Sequence, residues 1–157
     1  MAWLASLALL AVLYLFFDSS LQARNNPNHE LRIAPGAELI LQRNGDGHYV
    51  FPGEINGRPV TFLLDTGATL VSVPAHLAAG LELEAGAPQQ SITANGTVIT
   101  RAATIRLLAF GPFKLSDVRA SLNPGMRDDQ ILLGMSVLKQ LEFTQRGDTL
   151  ELRPTER

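Results

Sequence analysis

The stretch Phe62-Leu63-Leu64-Asp65-Thr66-Gly67-Ala68-Thr69 decides how the rest of the chain is read. Three large apolar residues close a β-rich run and lead straight into an acid. A strand of this kind is expected to be buried at its end, and an unpaired carboxylate there is costly unless it finds a partner or holds a proton. Gly67 permits a tight turn and the close approach of another backbone. Thr66 and Thr69 supply hydroxyls that orient a carboxylate or reach across an interface. Ordinary turn chemistry also produces Asp-x-Gly, with the aspartate capping the loop. A chance Asp-Thr-Gly in a chain of this length has odds of roughly a few per cent from average residue usage, and the flanking residues lower them further.

Short β-rich runs punctuated by turn dipeptides surround this stretch and predict an all-β domain. Strands are expected over Glu38–Gln42, 48–55, Arg58–Leu64, 89–94, 97–108, 117–122, 141–145 and 149–153. Asn56-Gly57 and Asn95-Gly96 are strong hairpin signals. Asn44-Gly45-Asp46-Gly47, Asn123-Pro124-Gly125 and Arg146-Gly147-Asp148 supply further turns. Helix is confined to one or two short pieces, over 74–79, where proline suits the first position, and 135–140. An apolar strand, a Gly turn and a short helix follow one another around Gly67 and, more weakly, again around Gly134.

The chain has 157 residues, enough for one compact domain and an appendage. Apolar residues make up 46% and charged residues 18%, with a net charge of −2. Lys and Arg are scattered, so the basic face that a phosphate backbone requires is absent and nucleic acid is not an expected partner. The absence of cysteine excludes disulfides, thiolate metal sites and a Cys nucleophile.

Residues 1–17 (MAWLASLALLAVLYLFF) carry no charged side chain. As a helix they would span about 25 Å, near the lower limit for a bilayer core of about 30 Å. Trp3 and Tyr14 sit toward the ends, where amphipathic rings favour the interface. The start has no Lys or Arg, and the best cleavage site, Leu21-Gln22-Ala23, is poor, which favours an uncleaved single-pass anchor over a signal peptide. Arg24, Arg32 and Arg43 follow the span and none precedes it, a small bias that by itself places the domain in the cytoplasm. Residues 19–37 are polar, without sustained periodicity, and read as a linker. The expected organisation is therefore a transmembrane anchor over 1–18, a linker over 19–37 and a folded domain over 38–157.

Between about His48 and Arg153 the sequence resembles the retropepsin-like aspartic proteases, especially their single-domain, membrane-anchored bacterial members. Three elements carry the resemblance in order. Leu64-Asp65-Thr66-Gly67-Ala68-Thr69 is similar to the catalytic loop. Thr93-Ala94-Asn95-Gly96-Thr97 is similar to the tip of the flap that closes over substrate. Ile131-Leu132-Leu133-Gly134-Met135 is similar to the segment that supports the loop. Some relatives have a flap tip richer in Gly than Asn95.

The resemblance implies a single-lobe barrel and an aspartic endopeptidase without cofactor or metal. In that chemistry two aspartates share one proton around a water, one acting as base while the other polarises the scissile carbonyl. Such coupled pairs are the established behaviour of aspartic proteases as a class. The chain has one Asp-Thr-Gly, so the second aspartate has to come from a symmetry mate across a two-fold interface. Asp65, Thr66 and Gly67 are then the catalytic residues, with Thr66 bridging the two loops. Ala68, Thr69, Ala94, Asn95, Gly96, Thr97, Leu132, Leu133 and Gly134 are expected to contact substrate. The strand over 149–153 is expected at the dimer interface. The resemblance also implies a bacterial inner membrane with the domain in the periplasm, against the Arg bias.

Other constellations are weaker. His29, His48 and His76 lie far apart without metal-ligand spacing. Asp128-Asp129 reads as a solvated loop. Ser72 and Ser136 have no Gly-x-Ser-x-Gly context or paired His. Phosphoryl transfer through Asp65 would need a phosphate-cradling Gly loop and further acids for Mg²⁺. The alternative to a peptidase is a membrane-tethered binding or dimerisation module of the same fold, in which Asp65 is structural.

Overall fold

The computed structural model describes residues 24–36, 38–93 and 96–155, together with Trp3, Ser6, Leu7, Leu9, Leu10, Leu13 and Tyr14 of the N-terminal segment. The anchor expected over 1–18 falls largely outside these. Among the described residues, no helix is long and apolar enough to cross a membrane.

The domain is all-β, as expected. Among the described residues, eleven strands run β1 (Arg32–Ala34), β2 (Glu38–Gln42), β3 (Val50–Ile55), β4 (Arg58–Leu64), β5 (Val71–Pro74), β6 (Pro88–Thr93), β7 (Gly96–Phe110), β8 (Phe113–Asn123), β9 (Gln130–Leu133), β10 (Leu141–Arg146) and β11 (Thr149–Pro154). One short helix, α1 (Met135–Leu138), follows β9. The helix expected over 74–79 is a single 3₁₀ turn at Ala75–Leu77, preceded by β5.

Seven strands form one sheet in the order β3-β4-β9-β5-β8-β7-β6, and β3 also pairs with β7 through Glu54↔Ala109 and Ile55↔Leu108. That second pairing curls the sheet back on itself. Phe51 of β3, Phe62 of β4 and Phe110 of β7 meet inside the curl, with ring centroids 5.6–6.1 Å apart and the rings inclined to one another. Tilted aromatic packing of this kind adds about 0.5–1.5 kcal/mol per pair beyond the area it buries. Asn56 and Gly57 turn β3 into β4 with φ of 51° and 77°, the primed geometry that matches the twist of the flanking strands.

The second sheet has the order β1-β2-β11-β10. Leu39 and Leu41 of β2 stand opposite Leu152 and Leu150 of β11, and all four side chains are buried. Part of the segment expected to be linker is built into this layer. β1 pairs with β2, and Asn28 is 3% exposed. Its Nδ2 donates to the carbonyls of Gln42 (2.9 Å) and Val50 (2.8 Å), and its Oδ1 accepts from the Gln42 amide at 2.6 Å. One side chain thus satisfies three backbone groups where β2 ends and β3 begins.

The 65–69 loop is held from beneath. β4 and β9 run parallel, with Leu64 opposite Leu133, and the Asp65 amide donates to the Leu133 carbonyl at 3.2 Å. The first amides of α1 then point into the loop: Met135 donates to Ala68 (2.8 Å) and Ser136 to Thr69 (2.9 Å). Gly134 makes this approach possible. A Cβ there would lie 2.2 Å from the Leu70 carbonyl oxygen and 2.5 Å from that of Ala68, distances that only a backbone shift would relieve.

Gly134→Ala is expected to lower stability by about 1–3 kcal/mol through overpacking. It should also speed exchange of the Met135 and Ser136 amides; unchanged denaturant midpoint and exchange would contradict the contact. Asn28→Ala is expected to cost about 2–3 kcal/mol, because it strands buried backbone groups. Asn28→Asp, which has no amide to donate, should recover little of that loss in the same unfolding measurement.

Candidate active site

Asp65 stands where β4 gives way to the loop and is half-buried in the single chain, so the expected buried end of the strand is open on one side. Its Oδ1 accepts from the Gly67 amide at 2.8 Å, and its carbonyl accepts from the Ala68 amide at 3.2 Å. The first bond fixes the carboxylate against its own loop, the second closes the turn, and Asp65 keeps part of its surface open to solvent. Thr66, Gly67 and Thr69 are exposed, and Ala68 is half-buried. A loop tied down from below and exposed above is suited to meet another surface.

The expected support segment divides into two roles. Leu133 is fully buried and Gly134 lies under the loop, so neither presents a side chain to a substrate; their part is to hold the loop in place. Leu132 and Met135, both half-buried, are the members of the segment that reach the surface.

The expected flap is the β6–β7 hairpin, in register from Pro88↔Arg101 to Thr93↔Gly96. Ala94 and Asn95 lie outside the described residues. Gly96, with φ of 108°, and Thr97 are exposed. Ile92 is 91% exposed and Ile99 55%, two large apolar side chains on one face of the hairpin.

The fold also gathers residues that sequence reasoning passed over. Ser72 of β5 pairs with Leu132, and its hydroxyl donates to the Met126 sulfur at 3.3 Å. Gly125, beside Met126, approaches Val98, which pairs with Ser91 midway along the β6–β7 hairpin. The 123–126 loop therefore links β5 to the β6–β7 hairpin. Only the alternation of β5 carried a signal for this, and Val71-Ser72-Val73 is too short to stand out. Two hollows flank the loop, of about 360 and 550 Å³; Leu70 and Arg119 line both, and Asp65 lines neither.

His76 does not join the other histidines. Its Nε2 lies 2.9 Å from Asp129 Oδ1, tying the 3₁₀ turn to the loop before β9, while His29, His48 and Asp128 are exposed. Ser136 is a structural hydroxyl, accepting from the Val71 amide and donating to the Arg119 carbonyl, both at 3.2 Å. The expected interface strand, β11, is paired on both sides within its own chain, to β10 and to β2. Its backbone is therefore not available to a partner.

Comparison with known proteins agrees with this geometry. The model of the "gag-polyprotein putative aspartyl protease" family matches residues 51–140, which include the loop, the flap hairpin and the support segment. A Sinorhizobium protein described as "Uncharacterized protein in cobV 5'region" is 30% identical over 120 residues, covering 74% of this chain and 52% of the relative. The chain thus spans about half the length of that curated relative. A retropepsin-like aspartic protease from Rickettsia conorii aligns with a TM-score of 0.63 at 28% identity, covering 73% of this chain and 89% of that one. The EIAV protease, solved with the inhibitor HBY-793, aligns with a TM-score of 0.50 at 20% identity over 63% of this chain and 92% of that one, a likeness of fold. By its matched sequence and by its architecture, the chain belongs to the retropepsin-like aspartic protease family.

Proposed function

We propose that the protein is an aspartic endopeptidase whose active site forms between two copies of the chain, each contributing Asp65. The observation that carries this reading is the loop itself: a lone aspartate, held by Gly67 and Leu133 and half-open to solvent, in the only Asp-Thr-Gly of the chain. A single carboxylate cannot serve as base and acid toward one water and one carbonyl at the same moment. Two that share a proton can: the ionised one takes a proton from water while the protonated one polarises the peptide carbonyl. This division is the established chemistry of aspartic proteases as a class.

Thr66, exposed in the loop, would bridge to the partner loop. An extended peptide would lie between Leu132 and the β6–β7 hairpin, adding as a strand and seating apolar side chains against Ile92 and Ile99. The apolar run at residues 1–17 supports a membrane anchor, which would confine two copies to a plane and raise their effective concentration. Under this reading the domain lies in the periplasm of a bacterial cell. A reporter enzyme fused to the C-terminus tests that sidedness.

Asp65→Asn should abolish peptide cleavage while leaving the fold and the dimer unchanged. An equimolar mixture of wild type and Asp65→Asn chains, freely exchanging, should retain about a quarter of the activity of the same total amount of wild type, since both halves of a two-fold site are needed. Retention of half would mean that each chain works alone, and full activity of the pure variant would leave Asp65 a structural residue.

A further inference from the structure

The segment that follows the apolar run bears on what the active site can reach. Between residue 17 and Glu38, a free linker would let the domain stand up to about 75 Å from the end of that run. The chain is folded well before that point. The Asn25 carbonyl accepts from Asn44 Nδ2 at 3.0 Å, and the Arg24 carbonyl from the Gly45 amide at 3.4 Å. The Arg24 side chain lies against Gly45, where a Cβ would come within 3.3 Å of its Nε. Asn26 and Asn28 close a turn, with the Asn28 amide 3.1 Å from Asn26 Oδ1, and the buried Asn28 side chain is bonded to Gln42 and Val50. Only residues 18–23 therefore stand between the apolar run and the body of the domain, a tether of at most about 25 Å.

The docked segment also lies at the end of the large sheet that carries Asp65. Asn28 is bonded to the carbonyl of Val50, the first residue of β3, and Val50 stands opposite Leu63 near the end of β4. The Leu64 amide donates to the Tyr49 carbonyl at 3.0 Å, and Asp65 follows directly. Asn28 is thus two strand spacings, about 10 Å, from the end of β4. The stretch from Arg24 to Asn28 adds at most about 14 Å. Asp65 then lies no more than about 50 Å from the end of the apolar run, however residues 18–23 are arranged.

We infer that the substrates are polypeptides anchored in the same membrane, cut at bonds within about 50 Å of its surface on the side where the domain lies. The inference rests on the peptidase and anchor readings above and adds a substrate class to them. Confinement to one plane raises the effective concentration of such substrates at the active site, and a free peptide has no such advantage. An extended stretch of about 15 residues beyond a membrane span covers the reachable height. A bond carried higher, on the far side of a tall folded domain, is out of reach even where its sequence fits the cleft.

The test uses the full-length protein and one cleavable sequence, selected from a peptide library with the protein in detergent. That sequence is placed after a transmembrane segment either directly or beyond a helical spacer of about 70 residues, about 100 Å long. In excess detergent, where enzyme and substrate occupy separate micelles, the two substrates should be cut at equal rates. In vesicles that hold enzyme and substrate together, the near site should be cut about tenfold faster or more. Inserting about 60 Gly/Ser residues between Ala23 and Arg24 should speed cutting of the far site in vesicles by about fivefold or more, with the rates in detergent unchanged. If wild type in vesicles cuts the far site as fast as the near one, or if the insertion leaves their ratio unaltered, this inference falls and the peptidase reading stands. If alkaline carbonate extracts wild type from the vesicles, the anchor reading falls and takes this inference with it. If no library peptide is cut in detergent, the peptidase reading itself falls.

Discussion

The architecture depends on how closely two backbones approach beneath Asp65. β4 and β9 run side by side, and where both end, Gly134 lets the start of α1 come into contact with the carbonyls of Ala68 and Leu70. Two amides of α1 and the carbonyl of Leu133 then hold a loop that would otherwise be free to move. Any side chain larger than hydrogen at position 134 would separate the two backbones. The position of the Asp65 carboxylate is thus set by an absent Cβ.

The remainder of the fold serves that arrangement at longer range. The rings of Phe51, Phe62 and Phe110 pin the curl of the large sheet, and Phe62 sits three residues before Asp65 on the strand that carries it. Asn28 closes the gap where the small sheet passes into the large one, replacing ladder bonds with an amide side chain. Met126, held by Ser72, and Gly125, beside Val98, connect the strand under the loop to the hairpin above it. Loop, support strand and the β6–β7 hairpin are therefore connected within one chain, while Thr66, Ile92 and Ile99 are exposed.

What was legible in the sequence follows the strength of local signals. Glu38–Gln42 and Arg58–Leu64 emerge with the expected bounds because alternation and an Asn-Gly turn mark them. The 65–69 loop and its Gly134 support were readable because a tight turn after a strand and a close backbone approach each need particular residues. β1 was hidden in a polar stretch, since three residues cannot establish a period. β8 begins at Phe113, earlier than expected, because polar residues on its exposed face resemble loop; Asp117 has a φ of 53° in the middle of it. The burial of Leu133 and the enclosure of β11 depend on which strands become neighbours, and spacing along the chain carries no such information. Asn28 is a similar case: nothing distinguishes it from the asparagines beside it until β2 and β3 surround it.

The central claim is that one active site belongs to two chains. It is tested most directly by calorimetric titration of the full-length protein with a peptide analogue carrying a non-cleavable tetrahedral centre, which would engage both carboxylates. The account predicts one analogue bound per two chains, with binding lost in Asp65→Asn. One analogue per chain, or undiminished binding to the Asp65→Asn variant, would contradict it.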